Sequence, residues 1–271
     1  MSSMKHLGFI GAGNMGGAIL SGALSHGVVE ASEIIVSAKT KKTLDALAAT
    51  HSDLTCTLDN RQVAYESEII LLAIKPQYLH EVLADIHDDL RGKAVLSIAA
   101  GWTMQMLQAE MAGSDIELLR AMPNTPVKVG EGMTAICAEH TFTKSHFDFV
   151  MQLFSAVGRV AVVPEKLFDG VIAVSGSSPA YLYMMLEAMG DAAVREGLPR
   201  KTAYEMAAQS MVGAAKMLLE TGEHPGMLKD AVCSPAGTTI EAVASLEKSG
   251  FRNAIMEAMA VCAEKSRQMA K

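Results

Sequence analysis

The turn that ends the first predicted strand constrains this chain more than any other stretch. An apolar run over residues 7–10 leads into Gly11, Gly13 and Gly16, and a helical apolar pattern follows through Leu24. A strand that runs into this glycine spacing and then into a helix is typical of a dinucleotide-binding fold, with the phosphates at the helix N-terminus. Gly11 allows the tight turn, Gly13 lets the backbone approach a diphosphate, and Gly16 lets helix and sheet pack closely. An ordinary strand–turn–helix connection is the alternative, because glycine also serves common turns.

The residues after the second predicted strand indicate which dinucleotide binds. Enzymes that prefer the non-phosphorylated cofactor usually place an acid at this strand end, where it accepts a hydrogen bond from the ribose 2′-hydroxyl. Here Ser37, Ala38, Lys39 and Thr40 are followed by two more lysines, and no acid appears before Asp45. Small hydroxyls beside three lysines favour a 2′-phosphate, so we expect NADPH rather than NADH. A solvated, lysine-rich helix start is the alternative.

Strand and helix patterns alternate up to residue 163. The most apolar strand, over residues 68–76, is typical of a parallel strand buried on both faces. Ligands bind outside the carboxyl ends of such strands. Asn124 lies in a stiff turn between two prolines after a later strand, and we expect it near the nicotinamide. The residues expected near the cofactor at two earlier strand ends are Ala73, Ile74, Lys75, Pro76, Ala99, Ala100 and Gly101.

Only helical patterns follow residue 164, and they predict helices at 167–174, 179–196, 200–221, 227–232, 238–249 and 251–271. The stretch 181–217 is rich in Ala, Met and Leu on more than one face, and a helix that is apolar all round must be buried. A helical half of this size rarely buries such faces alone, so we expect a homodimer, or a higher oligomer built on it. The sequence thus predicts an α/β fold: an N-terminal Rossmann-like doubly wound sheet at 1–163, followed by an all-α dimerisation domain at 164–271.

Two hydroxyl-rich stretches in the helical half are candidates for ligand binding. Residues 175–181 read Ser-Gly-Ser-Ser-Pro-Ala-Tyr, and residues 233–239 read Cys-Ser-Pro-Ala-Gly-Thr-Thr; each opens a predicted helix. Backbone N–H groups and hydroxyls at a helix start can bind a carboxylate without an arginine. Simple helix capping, as by Ser178 before Pro179, is the alternative for either stretch alone.

Composition excludes several classes of protein. A net charge of −7 argues against a nucleic-acid partner, which would require a basic face. We expect a cytoplasmic protein without a membrane span, because no long apolar segment or signal peptide is present. The four cysteines are scattered and read as reduced thiols. Metal-ligand spacings and a nucleophile–base pair are not indicated, so we expect neither a metal nor covalent catalysis.

Several blocks in order resemble one family over nearly the whole chain. They include Phe-Ile-Gly-Ala-Gly-Asn-Met at 9–15, Ala-Ile-Lys-Pro at 73–76, Ala-Met-Pro-Asn-Thr-Pro at 121–126, and the two hydroxyl-rich stretches. The family that they resemble is pyrroline-5-carboxylate reductase. One departure is Ala236, where the family usually has glycine; if the backbone there needs a positive φ, alanine costs about 1 kcal/mol.

The resemblance implies reduction of L-1-pyrroline-5-carboxylate to L-proline, the final step of proline biosynthesis. The hydride donor would be NADPH, with NADH as an alternative. Its cofactor would contact residues in four segments: Ile10, Gly11, Ala12, Gly13, Asn14, Met15, Ser37, Ala38, Lys39, Asn60, and Ala73 to Pro76. Its substrate would lie at a dimer interface, among Ser175, Gly176, Ser177, Ser178, Ser234, Gly237, Thr238 and Thr239.

Roles within the substrate residues follow from the chemistry of the imine. The imine nitrogen is itself basic, so a strong acid side chain is not required. We expect the hydroxyl of Thr239 to bond this nitrogen. We expect Ser234 and the backbone N–H groups of Gly237 and Thr238 to hold the carboxylate.

Two rival hypotheses stay open at this point. β-Hydroxyacid dehydrogenases open with a similar glycine motif but use a lysine on a long helix, and residues 181–196 contain no lysine. A non-catalytic nucleotide sensor is the other rival, although it would not need the hydroxyl-rich stretches. Activity assays separate the three hypotheses. A reductase would reduce the cyclic imine, a dehydrogenase would oxidise 3-hydroxyacids, and a sensor would bind NADPH without turnover.

Overall fold

The computed structural model describes residues 4–269, in two compact units. The first comprises residues 4–177 with 262–269, and the second comprises 178–261. The ends of the two predicted domains, at residues 1 and 271, and the end of the last predicted helix lie outside the described residues.

The first unit alternates strands and helices. Its strands are β1 Lys5–Ile10, β2 Ile34–Ser37, β3 Thr55–Thr57, β4 Ser67–Leu72, β5 Ala94–Ser97, β6 Glu117–Met122, β7 Gly132–Cys137 and β8 Gly158–Val163. Its helices are α1 Asn14–Ser25, α2 Lys41–Thr50, α3 Asn60–Glu66, α4 Leu79–Ile86, α5 Met104–Glu110, α6 Lys144–Ser155 and α7 Phe168–Val171, with short 3₁₀ turns between them.

The described strands form one eight-stranded sheet in the order β3-β2-β1-β4-β5-β6-β7-β8. All neighbours are parallel except β6 and β7. Ile10 pairs with Ser37 and Leu72, Leu72 pairs with Ser97, and Ser97 pairs with Arg120. This register brings the carboxyl ends of five strands to one edge of the sheet, where ligands bind in such folds.

Helices cover both faces of the sheet, which explains the continuous apolar strands. Phe9 faces a core that contains Phe154 of α6, whereas Ile10 faces a second core that contains Leu83 of α4. Because successive side chains of a strand point to opposite faces, a strand buried on both faces must be apolar at every position. The predicted Rossmann-like sheet is confirmed.

The second unit contains only helices in its described residues. They are α8 Ser178–Arg195, α9 Arg200–Thr221, α10 Pro225–Val232, α11 Thr238–Lys248 and the first part of α12 Phe251–Met269. Gly222, with φ of +68°, ends α9 in the left-handed conformation that glycine adopts without strain. Gly190 lets α8 approach α9 closely, because an added Cβ would lie 2.3 Å from the ring of Tyr204. The predicted all-α second half is confirmed.

The helices of the second unit leave most of their large apolar side chains exposed. Its fully buried positions are small, such as Ala203 and Ala207. Exposed methionines recur on its helices: Met184, Met206, Met217, Met227 and Met256. None of the helices within residues 4–269 combines the length and apolar character needed to cross a membrane.

One predicted loop is helical in the structure. Residues 175–178 lie between two predicted helices, but Ile172–Gly176 is a π-helix that continues α7. The Ser177 N–H donates to the Ile172 carbonyl at 2.8 Å, which inserts one extra residue into the turn, and the Ser175 hydroxyl donates to the Val171 carbonyl. π-Turns inside helices are frequent at functional sites.

Candidate functional site

The glycine turn after β1 has the geometry that a tight turn requires. Gly11 has φ of +101°, and an added Cβ would lie 2.6 Å from the Ala73 carbonyl oxygen. The Gly11 N–H donates to the Ser37 carbonyl at 3.1 Å. Glycine at this position therefore joins the ends of β1, β2 and β4, because a side chain would be both strained and obstructed.

The next two glycines differ in what surrounds them. An added Cβ on Gly16 would lie 2.2 Å from the Gly11 carbonyl oxygen, so this glycine is required by packing. An added Cβ on Gly13 would meet nothing within 4 Å. Gly13 is the N-cap of α1 and offers no side-chain cap to the helix N–H groups. The open space beside an uncapped helix start fits an incoming diphosphate.

The end of β2 is organised by a side-chain hydrogen bond. The buried Ser37 hydroxyl donates to Oδ1 of Asn60 at 2.7 Å. The Thr40 hydroxyl accepts from the Thr43 N–H and so caps α2. Lys39 remains exposed, with its ammonium 4.9 Å from the ring centroid of Tyr78. Lys39 is therefore the residue of this set that presents positive charge, whereas Ser37 is engaged within the protein.

Tyr78 was missed by sequence reasoning. It lies in the 3₁₀ turn Pro76–Tyr78 after β4, and its ring is partly exposed. An aromatic residue two positions after the proline at a strand end was the available signal. It places an aromatic face and a cation together at the edge expected for the adenosine end of a dinucleotide.

The segments after β4 and β5 also reach this edge. The Ala73 N–H donates to the Ile10 carbonyl at 2.9 Å, and the Trp102 indole N–H donates to the Pro76 carbonyl at 3.2 Å. Ala99 and Gly101 are buried, and Gly101 has φ of +78°. Residues 73–76 and 99–101 therefore follow the glycine turn in that order along one line of strand ends, on the side of β1 away from β2.

Asn124 is used inside the protein. Its Nδ2 donates to the Ser175 carbonyl at 3.0 Å, and its Oδ1 accepts from the Met133 N–H at 2.9 Å. Both ends of the amide thus connect β7 and the π-helix. Ser177 accepts from the thiol of Cys262 at 3.2 Å, so its own O–H can still donate. Asn124 therefore positions the segment of Ser175 to Ser177 within the first unit.

The second hydroxyl-rich stretch forms a turn before α11. The Gly237 N–H donates to the Ser234 carbonyl at 3.0 Å, so this N–H is occupied, contrary to the role expected for it. Helix α11 begins at Thr238, and its cap residue Gly237 provides no side-chain cap. Ala236 has φ of +55°, the left-handed conformation in which alanine is strained. The helix start at Thr238 and Thr239, with Ser234 nearby in the turn, remains the candidate carboxylate site.

Titratable groups cluster at the opposite edge of the sheet. His146 donates to Glu117 at 2.8 Å and to Glu68 at 3.1 Å, while His6 bonds Glu68 at 2.9 Å. Burial alone would lower the pKa of His146, but the two hydrogen bonds and carboxylate charges outweigh it and raise that pKa. The bonds from His6 and His146 lower the pKa of Glu68. These groups lie at the amino ends of strands and therefore away from the candidate site.

The carboxylate of Glu117 also has a net lowered pKa. Burial raises it, but the hydrogen bonds from the Thr143 N–H and from His146 have the larger combined effect. Burial raises the pKa of the Cys137 thiol to about 11, which makes this cysteine unreactive as a nucleophile.

Two protein-family models match the chain. Residues 165–269 match the family described as pyrroline-5-carboxylate reductase dimerisation. Residues 6–101 match the family described as NADP oxidoreductase, coenzyme F420-dependent. The first match covers the helical half, and the second covers the glycine turn and the strand ends after β2 and β4.

Curated relatives match over nearly the full length. The chain is 46% identical to the pyrroline-5-carboxylate reductase of Escherichia coli over 270 residues, which cover 98% of this chain and 99% of the relative. It is 42% identical to the pyrroline-5-carboxylate reductase of Methanosarcina acetivorans, with 98% of each chain covered.

Solved structures show the same fold. A pyrroline-5-carboxylate reductase from Coxiella burnetii has a TM-score of 0.90 at 32% identity, and a pyrroline carboxylate reductase from Plasmodium falciparum with NADP bound has 0.88 at 31%; each covers 99% of this chain and 100% of the other. A 3-hydroxyisobutyrate dehydrogenase from Mycobacterium tuberculosis reaches 0.51 at 13% identity, over 72% of this chain and 67% of the other, and shares the fold alone.

Proposed function

Because the chain belongs to the pyrroline-5-carboxylate reductase family, we propose that it reduces L-1-pyrroline-5-carboxylate to L-proline, the final step of proline biosynthesis. NADPH is the hydride donor, and NADH is a second, weaker donor. The observation that carries this proposal is the open, uncapped start of α1 at Gly13 in a chain that matches reductases of this name from end to end.

The residues that would hold the cofactor lie in the first unit. The N–H groups at the start of α1 suit the diphosphate, because the helix dipole and the unpaired donors both favour negative charge. Lys39 suits the 2′-phosphate, since no acid stands at the end of β2. Ser37 acts indirectly by fixing Asn60. When bound, the reduced nicotinamide supplies the hydride.

The residues that would hold the substrate start from the free end of α11. The N–H groups of Thr238 and Thr239 and the hydroxyl of Ser234 bind the carboxylate, while Gly237 shapes the turn. The hydroxyl of Thr239 bonds the ring nitrogen and fixes the plane of the C=N bond. In the reaction this bond becomes CH–NH: the hydride adds to carbon, and the nitrogen carries a proton taken from solvent. Alignment of the two rings therefore provides much of the rate.

We further propose that the second unit forms a homodimer in a cytoplasmic enzyme that binds neither nucleic acid nor a membrane. The exposed methionines of its helices support the dimer, because Met suits adaptable apolar interfaces. The match to a dimerisation family supports it as well. Free thiols at all four cysteines support the location.

Steady-state assays with purified protein test the function. We expect oxidation of NADPH that depends on added pyrroline-5-carboxylate, with L-proline as the product by chiral chromatography, and a lower kcat/KM with NADH. NADP reduction by 3-hydroxyisobutyrate would instead support a hydroxyacid dehydrogenase. Tight NADPH binding without imine-dependent oxidation would support a sensor and contradict the proposal.

A further inference from the structure

An ion pair between a buried arginine and a glutamate whose side chain is 25% exposed lies behind the candidate site in the first unit. Arg120 of β6 has a side chain that is 6% exposed, and its Nη1 donates to Oε1 of Glu165 at 2.8 Å. The guanidinium carbon lies 4.4 Å from the ring centroid of Phe168. Well-packed apolar residues would stabilise a core about as well as a buried ion pair, so stability alone does not explain this pair.

Glu165 connects three segments of the first unit. The oxygen that accepts from Arg120 also accepts from the Met104 N–H at 2.6 Å, at the start of α5. The Glu165 N–H donates to Glu139 Oε2 at 2.8 Å. Met104 follows closely on residues 99–101, and Glu165 precedes α7 and the π-helix Ile172–Gly176. One carboxylate oxygen therefore links the strand end after β5, the strand β6 and the segment that leads to Ser175.

The same segment is tied to the sheet at its other end. Asn124, four residues after Arg120, donates to the Ser175 carbonyl. A cavity of about 320 Å³ lies beside the ion pair, and its walls include Arg120, Phe168 and Gly101. The space means that apolar packing alone does not hold these walls in place. Polar connections at Glu165 and at Asn124 tie the segment to the sheet, and hydrogen bonds from Cys262 to Ser177 and from Ser266 to Asp169 tie it to α12.

We propose that Arg120 and Glu165 are positioning residues for hydride transfer, which fix the π-helix Ile172–Gly176 relative to residues 99–101. The inference rests on the proposed function, because it assigns the two segments to the two reactants. Reacting atoms must approach to about 3–3.5 Å, and a small displacement by a remote residue can cost about a hundredfold in rate. A connection that crosses three segments through one oxygen is suited to prevent such a displacement.

The test uses three variants of the full chain. Arg120→Met leaves the Glu165 carboxylate without its partner, and Glu165→Leu leaves the buried Arg120 guanidinium unpaired, so both single variants lose stability. The double variant removes both charges together with the oxygen that accepts from the Met104 N–H; no charge is left without a partner, so part of the stability returns. Ser67→Ala is the control, because it removes a buried hydroxyl that donates to the Val63 carbonyl at the amino end of β4.

Hydrogen exchange, NADPH affinity and kinetics are measured on each folded variant. For the double variant we expect exchange at residues 172–177 to rise about tenfold and kcat to fall about tenfold, from loss of alignment. The isotope effect on kcat with NADPH deuterated at the transferred position should increase, while the NADPH Kd stays unchanged. Ser67→Ala should lose stability with wild-type kcat and isotope effect.

Two results overturn the inference. One is a double variant with wild-type exchange at residues 172–177, whatever its activity. The other is a double variant with wild-type kcat and isotope effect. A wild-type protein that binds NADPH but does not reduce the imine would contradict the proposed function itself. The wild-type assay shows this result before any variant is made.

Discussion

The two units of this chain differ in how they bury apolar surface. The last four residues of both β1 and β4 are buried in the first unit. In the second unit, Met184 and Met256 are 70% and 71% exposed, although their helices carry apolar residues on several faces. The first unit encloses two apolar cores, whereas the second unit leaves large apolar side chains exposed. Each large side chain buried there would contribute about 1.5–3 kcal/mol.

A charged residue introduced among the exposed methionines of the second unit should have the largest effect, and this effect is on dimerisation. We expect Met256→Asp to raise the dimer dissociation constant about a hundredfold, or about 3 kcal/mol, because a carboxylate would be buried without a partner. Analytical ultracentrifugation measures the change. Leu58→Asp is the matched control, since Leu58 is 61% exposed but lies in the first unit. Equal dissociation constants for the two variants would contradict the assignment of the interface.

Within the first unit, Gly13 separates binding from folding. We expect Gly13→Ala to weaken NADPH binding about thirtyfold, because the new methyl occupies the space beside the start of α1. Its melting temperature should stay within a few degrees of wild type, since the protein leaves that space open. Gly17→Ala is the control: its Cβ would make an ordinary 3.6 Å contact. Fluorescence titration measures the NADPH affinity of both variants. Wild-type affinity in Gly13→Ala would refute the proposal that the diphosphate lies beside Gly13.

Within the second unit, Thr239 should affect turnover and spare cofactor binding. We expect Thr239→Ala to lower kcat about tenfold or more, because the ring nitrogen loses the hydroxyl that orients it. NADPH affinity should be nearly unchanged. Thr221→Ala serves as control, since that hydroxyl donates to the Met217 carbonyl at the end of α9. An unaltered kcat in Thr239→Ala would remove its proposed role.

The histidine cluster should give the first unit its own pH dependence. The pKa of His146 is raised in the folded protein, so protonated His146 stabilises the fold fully at pH values below its unfolded pKa of 6.5. This stabilisation is lost as the pH rises through the folded pKa. The pKa values of Glu68 and Glu117 are lowered in the folded protein, so these carboxylates stabilise the fold fully above pH 4.5. This stabilisation is lost as the pH falls through their folded pKa values. The cluster therefore contributes most between about pH 4.5 and 6.5.

Urea unfolding at several pH values tests this sign. His146→Gln should cost about 1 kcal/mol within that window and less above it, a figure that allows for solvent screening at the half-exposed Glu68. His80→Gln is the control, because His80 pairs with Glu110 while mostly exposed. A constant loss at every pH would show that His146 acts by packing alone.

The smallest effect should come from backbone strain in the second unit. Ala236→Gly should stabilise by about 0.5 kcal/mol, because the left-handed strain removed exceeds the added freedom of the unfolded chain. Ala214 is exposed and lies far from both ends of α9, so Ala214→Gly should instead destabilise the protein. Thermal unfolding of both compares the two signs, and destabilisation by Ala236→Gly would show that alanine is not strained there.

Local patterns predicted most of this fold, and contacts between distant residues explain the rest. The limits of α9 agree with the prediction of a helix at 200–221, because Pro199 and Gly222 stand directly before and after it. The π-helix at Ile172–Gly176 depends on backbone hydrogen bonds shifted by one residue, which no residue spacing encodes. The occupied N–H of Gly237 likewise depends on how the turn folds.

Two residues behind the site escaped prediction for the same reason. Arg120 and Glu165 are 45 positions apart, and each alone reads as an ordinary charged residue. A charged side chain within the apolar strand β6 was the available signal. The partner that accepts it is fixed by tertiary packing, which sequence spacing does not show.

The most direct test measures turnover across protein concentrations that dissociate the dimer, with sedimentation in parallel. The central proposal is that the first unit holds NADPH, whereas the substrate residues of the second unit act at the dimer interface that the resemblance to pyrroline-5-carboxylate reductases implies. Imine-dependent oxidation of NADPH per protomer should therefore fall in proportion to the dimer fraction, while the NADPH dissociation constant stays constant. Turnover per protomer that is unchanged in the dissociated protein would contradict this claim.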